Sequence, residues 1–504
     1  MINSYATLLK DDEVQRIHEA SLEILSEVGL IVRNEKARQR FAHHGCNLDG
    51  ETGTVKLPAE VVTEFMAMTP DKFTFHGRDG ELDKTLPGDG PVIATASSAP
   101  NIIDPVSGRH RRALSSDIAR IAHLVDQLAG YDVLSVSVLA DDAPEGQFSL
   151  SRFYPAIKNT KKPVRASVLD RAEAEQVLAM CSLIAGGEEA FRERPFVTFG
   201  ACSVVAPLAM DVNSTEMLMY YAENSIPAHS ITVPNGGLSA PFSLAGTVVQ
   251  ANSEFLAATV LAQMSRPHTP VLYLVLPTVA DLRTGAYASG GIENAMMDMA
   301  VAQMARFYDL PSGGYIGQTN SKTSDAQAGF EKGMAPIAGV LAGFNYLLLG
   351  GLLDALMTFD FGQAVIDSEI AMMLKRVARG MEFSEANLAL KVIAEVGPGG
   401  MFISHPHTME RMRTTAFLPQ IAERGSRDEW IEGGSMDAHA RALGRAREIL
   451  SGANHSVLSA GVDARIRAQF EGLVNGDSTP PEGWDGRPEK PARRVRRRRR
   501  KRRE

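Results

Sequence analysis

Three polar stretches of the chain have residue types and spacing that could support chemistry. The first follows the apolar residues 315–317 and contains Gln318, Asn320 and Asp325. Asparagine, serine, threonine and aspartate side chains bond nearby backbone N–H groups, so this stretch predicts a turn that leads into a helix. Because α/β barrels carry their chemistry on loops at the carboxyl ends of strands, we expect this loop to line a binding site.

The second stretch, PTVADLRTG, places Asp281 and Arg283 directly after a predicted strand. A carboxylate at the mouth of a barrel can hold a cation. Arg283 could equally neutralise Asp281 in an ordinary ion pair. The sequence leaves both interpretations open.

The third stretch places His405 and His407 two residues apart, shortly after the glycine-rich residues 397–400. Because Pro406 lies between them, the two imidazoles are not expected to share one helical face as zinc-binding histidines do, and we predict no metal site. Contact with a cofactor or substrate and a structural role at the start of a helix remain as alternatives.

The elements that must position these residues alternate between strands and helices. Eight strands are predicted at residues 92–96, 132–139, 163–168, 196–202, 227–233, 270–276, 313–317 and 345–349. Helices are predicted after them at residues 115–129, 147–159, 171–185, 214–223, 242–264, 292–308, 325–343 and 363–379. This alternation predicts parallel strands with right-handed crossovers over roughly the 250 residues that a (β/α)8 TIM barrel requires. An open doubly wound sheet is the alternative, but no glycine-rich nucleotide turn follows the first strand.

Further regions are predicted before and after this barrel. Residues 1–90 are expected to form an N-terminal cap of helices and short strands, and residues 91–380 the barrel. Residues 381–475 are predicted to form a C-terminal helical extension packed on the barrel, and residues 476–504 a disordered basic tail. We expect the barrel mouth to be lined by residues that directly follow the strands, namely Ser98, Asp141, Ser203, Asn235, Asp281 and Gln318. Residues 397–408 and the helices after them are expected at the mouth or in an oligomer interface.

Composition and charge limit the class of protein. The chain has 504 residues, 44% of them hydrophobic, and a net charge of −8, although twelve of residues 487–504 are Lys or Arg. An acidic body argues against nucleic-acid binding, while the basic tail is either a docking segment for an acidic partner or a solvated terminus. No stretch approaches the roughly 18 apolar residues of a membrane span. The three dispersed cysteines indicate no disulfide framework, so we expect a soluble protein of the reducing cytoplasm.

Well-known catalytic motifs are missing from the sequence: it has no Walker loop, dinucleotide fingerprint, GxSxG elbow or HExxH helix. Five segments instead resemble the trimethylamine methyltransferase family. They are PTVADLRTGAYASGG, GGYIGQTNSKTSDAQAGFEKGM, AGFNYLLLGGLLDALMTFDFGQAVIDSEIAMMLKRVARGM, EVGPGGMFISHPHTMERMR and LPQIAERGSRDEW. The resemblance implies a barrel that moves a methyl group from a methylated amine to the cobalt of a separate corrinoid protein, and it favours a homo-oligomer.

One departure from that family narrows the expected substrate. Trimethylamine enzymes carry pyrrolysine in the barrel, whereas this sequence contains only standard amino acids. The chain therefore resembles the pyrrolysine-lacking branch, which includes glycine betaine:corrinoid methyltransferases. A quaternary nitrogen is already cationic and leaves as a neutral tertiary amine, so a nucleophilic Co(I) can attack its methyl group without further activation, and the enzyme mainly positions two reactants.

A site for such a substrate would need negative charge and aromatic faces for the ammonium group, and donors for any carboxylate. The candidates for holding the ammonium group are Asp281, Asp325 and Asp360 with Tyr273, Tyr287, Tyr315 or Phe359. Arg283, Gln318 and Asn320 are candidates for a substrate carboxylate, and His405 and His407 for the corrinoid side. Packing or a surface role is the alternative for each of them. At the level of the whole protein, the alternative is a barrel that binds a methylated amine or a corrinoid without turnover.

Overall fold

The computed structural model describes residues 4–484, and all eight predicted strands are present. They are Val92–Thr95, Leu134–Ser135, Val164–Ala166, Val197–Ala201, Ala228–Ser230, Tyr273–Leu274, Ser312–Gly314 and Tyr346–Gly350. We call them the first to the eighth core strand. Each overlaps the segment in which the apolar, strand-favouring pattern predicted it.

The core strands pair in parallel with their neighbours in the chain. The second to fifth core strands form one four-stranded sheet, and the sixth, seventh, eighth and first form another. Single parallel bridges, Ala94 with Val133 and Thr232 with Val275, join the two sheets. The predicted α/β class is therefore confirmed, with two hydrogen-bonded sheets rather than one continuous ladder.

A long helix follows every core strand. These helices are Ser115–Gln127, Leu150–Asn159, Arg171–Ala185, Asn213–Glu223, Leu244–Ser265, Ile292–Phe307, Ala326–Leu341 and Phe361–Ala378. Asp170, Asp325 and Asp360 begin three of them, because each carboxylate accepts a hydrogen bond from a backbone N–H of the first turn. The helical bounds agree with the predicted ones to within about three residues, as expected where periodicity and capping residues coincide.

The N-terminal region combines helices with short strands. Its helices are Asp11–Glu23, Glu35–His43 and Ala59–Met66, with a π-helical segment at Ile24–Val28. Its strands are Leu30–Val32, Asn47–Leu48, Thr54–Lys56, Phe73–Phe75 and Lys84–Leu86. Phe73 and Phe75 pack with Val92, Leu272 and Tyr346 in a buried apolar cluster at the amino-terminal ends of the core strands. The interior between the strands is thereby sealed at that end.

Short strands cover the opposite, carboxyl-terminal end. Leu352–Leu353, Thr358–Phe359, Asn101–Ile103 and His110–Arg112 form one sheet, and Asn235–Gly236, Thr278–Asp281 and Ala286–Tyr287 form another. Ala209–Met210 pairs with the N-terminal strand Leu30–Val32 on one side and with Val204–Val205 on the other. The loops after the core strands are therefore held by small sheets of their own.

The C-terminal region packs on the outside of the core. Its helices are Glu385–Leu388, Leu390–Val396, Pro406–Arg411, Arg427–Glu432, Ala438–Ser451 and Ala460–Gln469, and Glu188–Glu193 is a further short helix earlier in the chain. The helix Ala438–Ser451 packs against Phe361–Ala378 and Ser115–Gln127. The arginine-rich residues of the predicted tail lie outside the described residues. Among residues 4–484, every helix falls short of the length and apolarity that a membrane crossing requires.

Candidate functional site

Five polar side chains from different parts of the chain converge in the interior, and we call them the interior polar cluster: Ser97, Ser135, Arg165, His229 and Tyr315. Arg165 lies on the third core strand, His229 on the fifth and Ser135 on the second. Ser97 and Tyr315 follow the first and seventh core strands. Parallel strands with consecutive neighbours bring these positions together, although the chain separates them widely.

Hydrogen bonds connect the whole interior polar cluster. Arg165 donates from Nε to His229 Nε2 at 2.7 Å and from Nη1 to Ser135 Oγ at 3.0 Å, with the Tyr315 hydroxyl at 3.4 Å. Ser97 Oγ lies 3.0 Å from the Tyr315 hydroxyl and 2.9 Å from Ser135 Oγ. Ser97 and Tyr315 are partly exposed, so the cluster is reached from the carboxyl-terminal end of the strands.

The charge of the interior polar cluster is positive. Arg165 is 2% exposed, and its hydrogen bonds go only to neutral groups of the described residues. Burial and the neighbouring Arg165 cation hold the pKa of His229 well below its usual range, so this imidazole is neutral. Because His229 Nε2 accepts from Arg165, its proton resides on Nδ1, which has no partner in the described part of the chain.

A second buried guanidinium lies next to this cluster. Arg152 donates from Nη2 to Ser98 Oγ at 2.9 Å and from Nη1 to the Ser167 carbonyl oxygen. Burial lowers the pKa of Arg152 to about 10, which still leaves it charged at neutral pH.

These properties decide what the site can do chemically. Burial raises the pKa of the Asp298 carboxyl well above its usual range, and it raises the pKa of Glu254 against the hydrogen bonds that Glu254 accepts. The interior polar cluster itself contains hydroxyls, a guanidinium and a neutral imidazole, and it includes no carboxylate. It is therefore rich in hydrogen-bond donors and suited to orienting a bound group, particularly an anionic one.

The loop at residues 318–325, predicted as a site, mainly organises its neighbours. Gln318 is buried and donates to the Leu348 carbonyl oxygen, while its Oε1 has no partner among residues 4–484. Asn320 bonds Gly290 N and the Tyr287 carbonyl oxygen. Asp325 is exposed and caps the helix Ala326–Leu341. The interior polar cluster includes none of the residues of this loop, only Tyr315, which precedes it.

Asp281 and Arg283 form an exposed ion pair. Arg283 Nη2 lies 2.6 Å from Asp281 Oδ2, and the Arg283 side chain is 86% exposed. The hydrogen bonds from Arg283 lower the pKa of Asp281 to about 2. Of the two interpretations that the sequence left open, this geometry favours the ion pair.

The other aromatic and acidic candidates lie in buried contacts. Phe359 is fully buried, and Asp360 accepts from Gln363 N and lies 2.9 Å from His439 Nε2. Tyr273 is buried and donates to Asn252 on the helix Leu244–Ser265. Tyr287, in contrast, is partly exposed and lies near the carboxyl-terminal ends of the core strands.

His405 and His407 lie in the C-terminal region. His405 caps the helix Pro406–Arg411 through His407 N, and its Nε2 is 3.2 Å from Glu395. Their described hydrogen bonds remain within this region and do not reach the interior polar cluster. Within residues 4–484 there is also no group of three or more side chains placed to hold a metal ion.

The residues predicted to line the mouth have different environments. Ser98 contacts Arg152, and Ser203 bonds Ser230 at 2.6 Å between hydroxyl oxygens. Asn235 Oδ1 is buried without a partner in the described chain, as an atom facing a ligand would be. Asp141 instead pairs with Arg112 on the surface.

Sequence reasoning missed Arg165, His229 and Ser135. All three lie inside segments predicted as strands, whereas the binding site was predicted on the loops that follow the strands. Buried parallel strands are normally apolar on both faces, and a charged residue costs free energy there unless it is used. The arginine in PVRASV and the histidine in PAHSITV were therefore the available signals.

Comparison with known proteins identifies a family. Residues 2–471 match the family model described as trimethylamine methyltransferase. A glycine betaine methyltransferase of Desulfitobacterium hafniense (strain Y51) is 32% identical over 92% of this chain and 96% of its own length. A trimethylamine methyltransferase of Desulfitobacterium hafniense (strain DSM 10664 / DCB-2) is 31% identical over 92% of each chain. The solved hydroxylamine complex of MtmB has a TM-score of 0.49 at 13% identity, covering 87% of this chain and 93% of that chain.

Proposed function

This chain belongs to the trimethylamine methyltransferase family and is a methyltransferase; on that premise we propose that it moves a methyl group from a betaine-like quaternary amine to a corrinoid protein. The acceptor would be the Co(I) of a corrinoid carried by a separate protein. The relative named a glycine betaine methyltransferase supports this substrate class. The sequence, which contains only standard amino acids, supports a mechanism without pyrrolysine.

The observation that carries this proposal is the interior polar cluster. It lies at the carboxyl-terminal side of a sealed interior, and its groups are donors that hold a ligand rather than an acid or nucleophile that would react with one. Methyl transfer from a quaternary nitrogen needs no proton at the leaving group. The nitrogen keeps the electron pair of the breaking C–N bond and leaves as a neutral amine. Positioning the donor methyl in line with the incoming nucleophile is therefore the main task of the protein.

For the architecture we propose a (β/α)8 barrel formed by residues 91–380. The pairing of Tyr346 with Val92, which sets the eighth core strand beside the first, supports it, as does the sequential parallel order of the strands. The division into an N-terminal cap at residues 1–90, a C-terminal extension at residues 381–475 and a basic tail at residues 476–504 is part of the same proposal. A cytoplasmic location and a homo-oligomer complete it.

The test uses the purified full-length protein, free Co(I) cobalamin as methyl acceptor and a panel of donors. We expect methylated cobalamin to appear, measured by its absorbance, with glycine betaine and not with trimethylamine. One control omits the protein. A second control replaces glycine betaine with dimethylglycine, which has no quaternary nitrogen. Transfer from trimethylamine but from no quaternary amine would show that the proposed substrate class is wrong.

A further inference from the structure

Arg165 carries a buried charge that the described chain does not neutralise. Its side chain is almost completely enclosed, and its partners are the neutral His229 imidazole and the hydroxyls of Ser135, Tyr315 and Ser97. Enclosing an ionised group without a counter-ion carries a large free-energy cost in folding. A cost of this kind is retained where the unpaired charge is used, and an anionic ligand is the most direct use.

One nitrogen of the Arg165 guanidinium group is available to donate to a ligand. Nε and Nη1 are occupied, whereas Nη2 makes no hydrogen bond to residues 4–484. Glycine at position 200 makes room for this arm of the guanidinium group, because a Cβ there would lie 2.8 Å from Arg165 Nη2. An arginine fork with one free arm matches a carboxylate, whose oxygens accept from that arm and from an adjacent hydroxyl.

The second buried cation, Arg152, strengthens the preference of the site for an anionic group. Arg152 stands close enough to influence Arg165 electrostatically, and its Nε has no partner in the described chain. The Glu173 carboxylate near it is engaged by Ser149 N and Oγ and forms no ion pair with Arg152. An ammonium ion alone would therefore meet repulsion here, whereas a zwitterion can present its negative end to the guanidinium groups.

We propose that Arg165 is the carboxylate receptor of the substrate site, so that the enzyme selects quaternary ammonium compounds that also bear a carboxylate. This rests on the proposed function and adds the group that decides specificity. With the carboxylate at Arg165, above the apolar cluster of Phe73, Phe75 and Tyr346, the ammonium end is directed toward the carboxyl-terminal ends of the strands. That is the side from which a partner corrinoid could approach.

The test compares two ligands that differ in the carboxylate. Binding of glycine betaine and of choline, which has a hydroxyl in place of the carboxylate, is measured by calorimetry on the wild-type protein and on Arg165→Gln. We expect Arg165→Gln to weaken glycine betaine binding on the order of 10- to 100-fold, the effect of losing a hydrogen-bonded charge contact. The weak binding of choline is expected to stay unchanged, because it never used that contact.

Arg16→Gln is the matched control, since it makes the same chemical change at an exposed arginine that pairs, within the described residues, only with the nearby Glu19 and Glu23. It should leave both affinities unaltered. If Arg165→Gln does not fold, as judged by circular dichroism, Arg165→Lys replaces it, and its loss of the fork should still weaken glycine betaine binding about 10-fold.

The outcomes separate this inference from the function it rests on. If the wild-type protein transfers methyl groups from glycine betaine and a folded Arg165→Gln binds it equally well, Arg165 is not the receptor, while the proposed function stands. Equal affinity of the wild-type protein for choline and glycine betaine would also overturn the inference. If no quaternary amine donates a methyl group, but glycine betaine binds in a manner that depends on Arg165, the receptor is supported and the proposed reaction is not.

Discussion

The buried ion pair of Lys332 and Asp367 provides the sharpest test of how the loops around the site are held. Lys332 Nζ lies 3.1 Å from Asp367 Oδ2, and both side chains are 0% exposed. Nζ also donates to the carbonyl oxygens of Gly317 and Leu349. The pair therefore links two helices to the backbone at the carboxyl-terminal ends of the seventh and eighth core strands, close to Tyr315.

The expected magnitude follows from what a single replacement leaves behind. Burial raises the pKa of Asp367, and Lys332 opposes that shift together with the hydrogen bonds from Gly351 N and Gln363. Lys332→Met leaves the carboxyl group buried without its counter-ion and leaves two carbonyl oxygens without a donor. Breaking a buried pair in this way costs about 3–5 kcal/mol in the free energy of unfolding.

The chain provides a control with the same separation. Lys322 Nζ is also 3.1 Å from a carboxylate, that of Asp354, but these side chains are 69% and 34% exposed. Lys322→Met should cost less than about 1 kcal/mol, because water screens an exposed pair. Urea unfolding of the two variants and of the wild-type protein gives the comparison.

A third variant separates charge from packing. Lys332→Met combined with Asp367→Leu removes both charges, and it should cost less than Lys332→Met alone because no uncompensated charge remains. The reasoning is refuted if Lys332→Met destabilises the protein no more than Lys322→Met does.

Three further predictions follow from other contacts. The hydrogen bond with Asp360 raises the pKa of His439. The stabilisation from this contact is therefore fully present below about pH 6.5 and is lost as pH rises through the raised pKa. The difference in melting temperature between the wild-type protein and His439→Asn should be larger at pH 6 than at pH 8.5. Asp281→Asn separates the two interpretations of that residue: a cation-binding role predicts a loss of methyl transfer by tens of fold, on the order of 2 kcal/mol, whereas the exposed ion pair, which we expect, predicts an unchanged rate. The exposed apolar side chains of Met381, Phe383, Met401 and Ile403 favour an interface between copies of the chain, so light scattering at micromolar concentration should give an oligomer, and a clean monomer would contradict this.

Local sequence patterns determined the elements. Strand-favouring apolar runs and helical periodicity with capping residues act over a few neighbouring positions, so they can be read without knowing the fold. The eight strands, and the helix that Asp325 begins, were predicted for this reason. The helix Ala460–Gln469 was predicted only as part of a helical extension, without bounds of its own, because its amphipathic pattern is weak and only one of its residues is buried.

The site itself was decided by tertiary structure. Arg165 and His229 are 64 residues apart, and their strands flank the fourth core strand in one parallel sheet, which brings Nε to 2.7 Å from Nε2. Whether a charged side chain is paired also depends on partners from distant segments. Asp281 pairs with Arg283 only two residues away, whereas the partners of Arg165 are neutral groups from distant strands and loops. Residue types and spacing therefore predicted where polar groups follow strands. The register of the folded sheet decided which strand residues point inward, and with them the composition of the interior polar cluster.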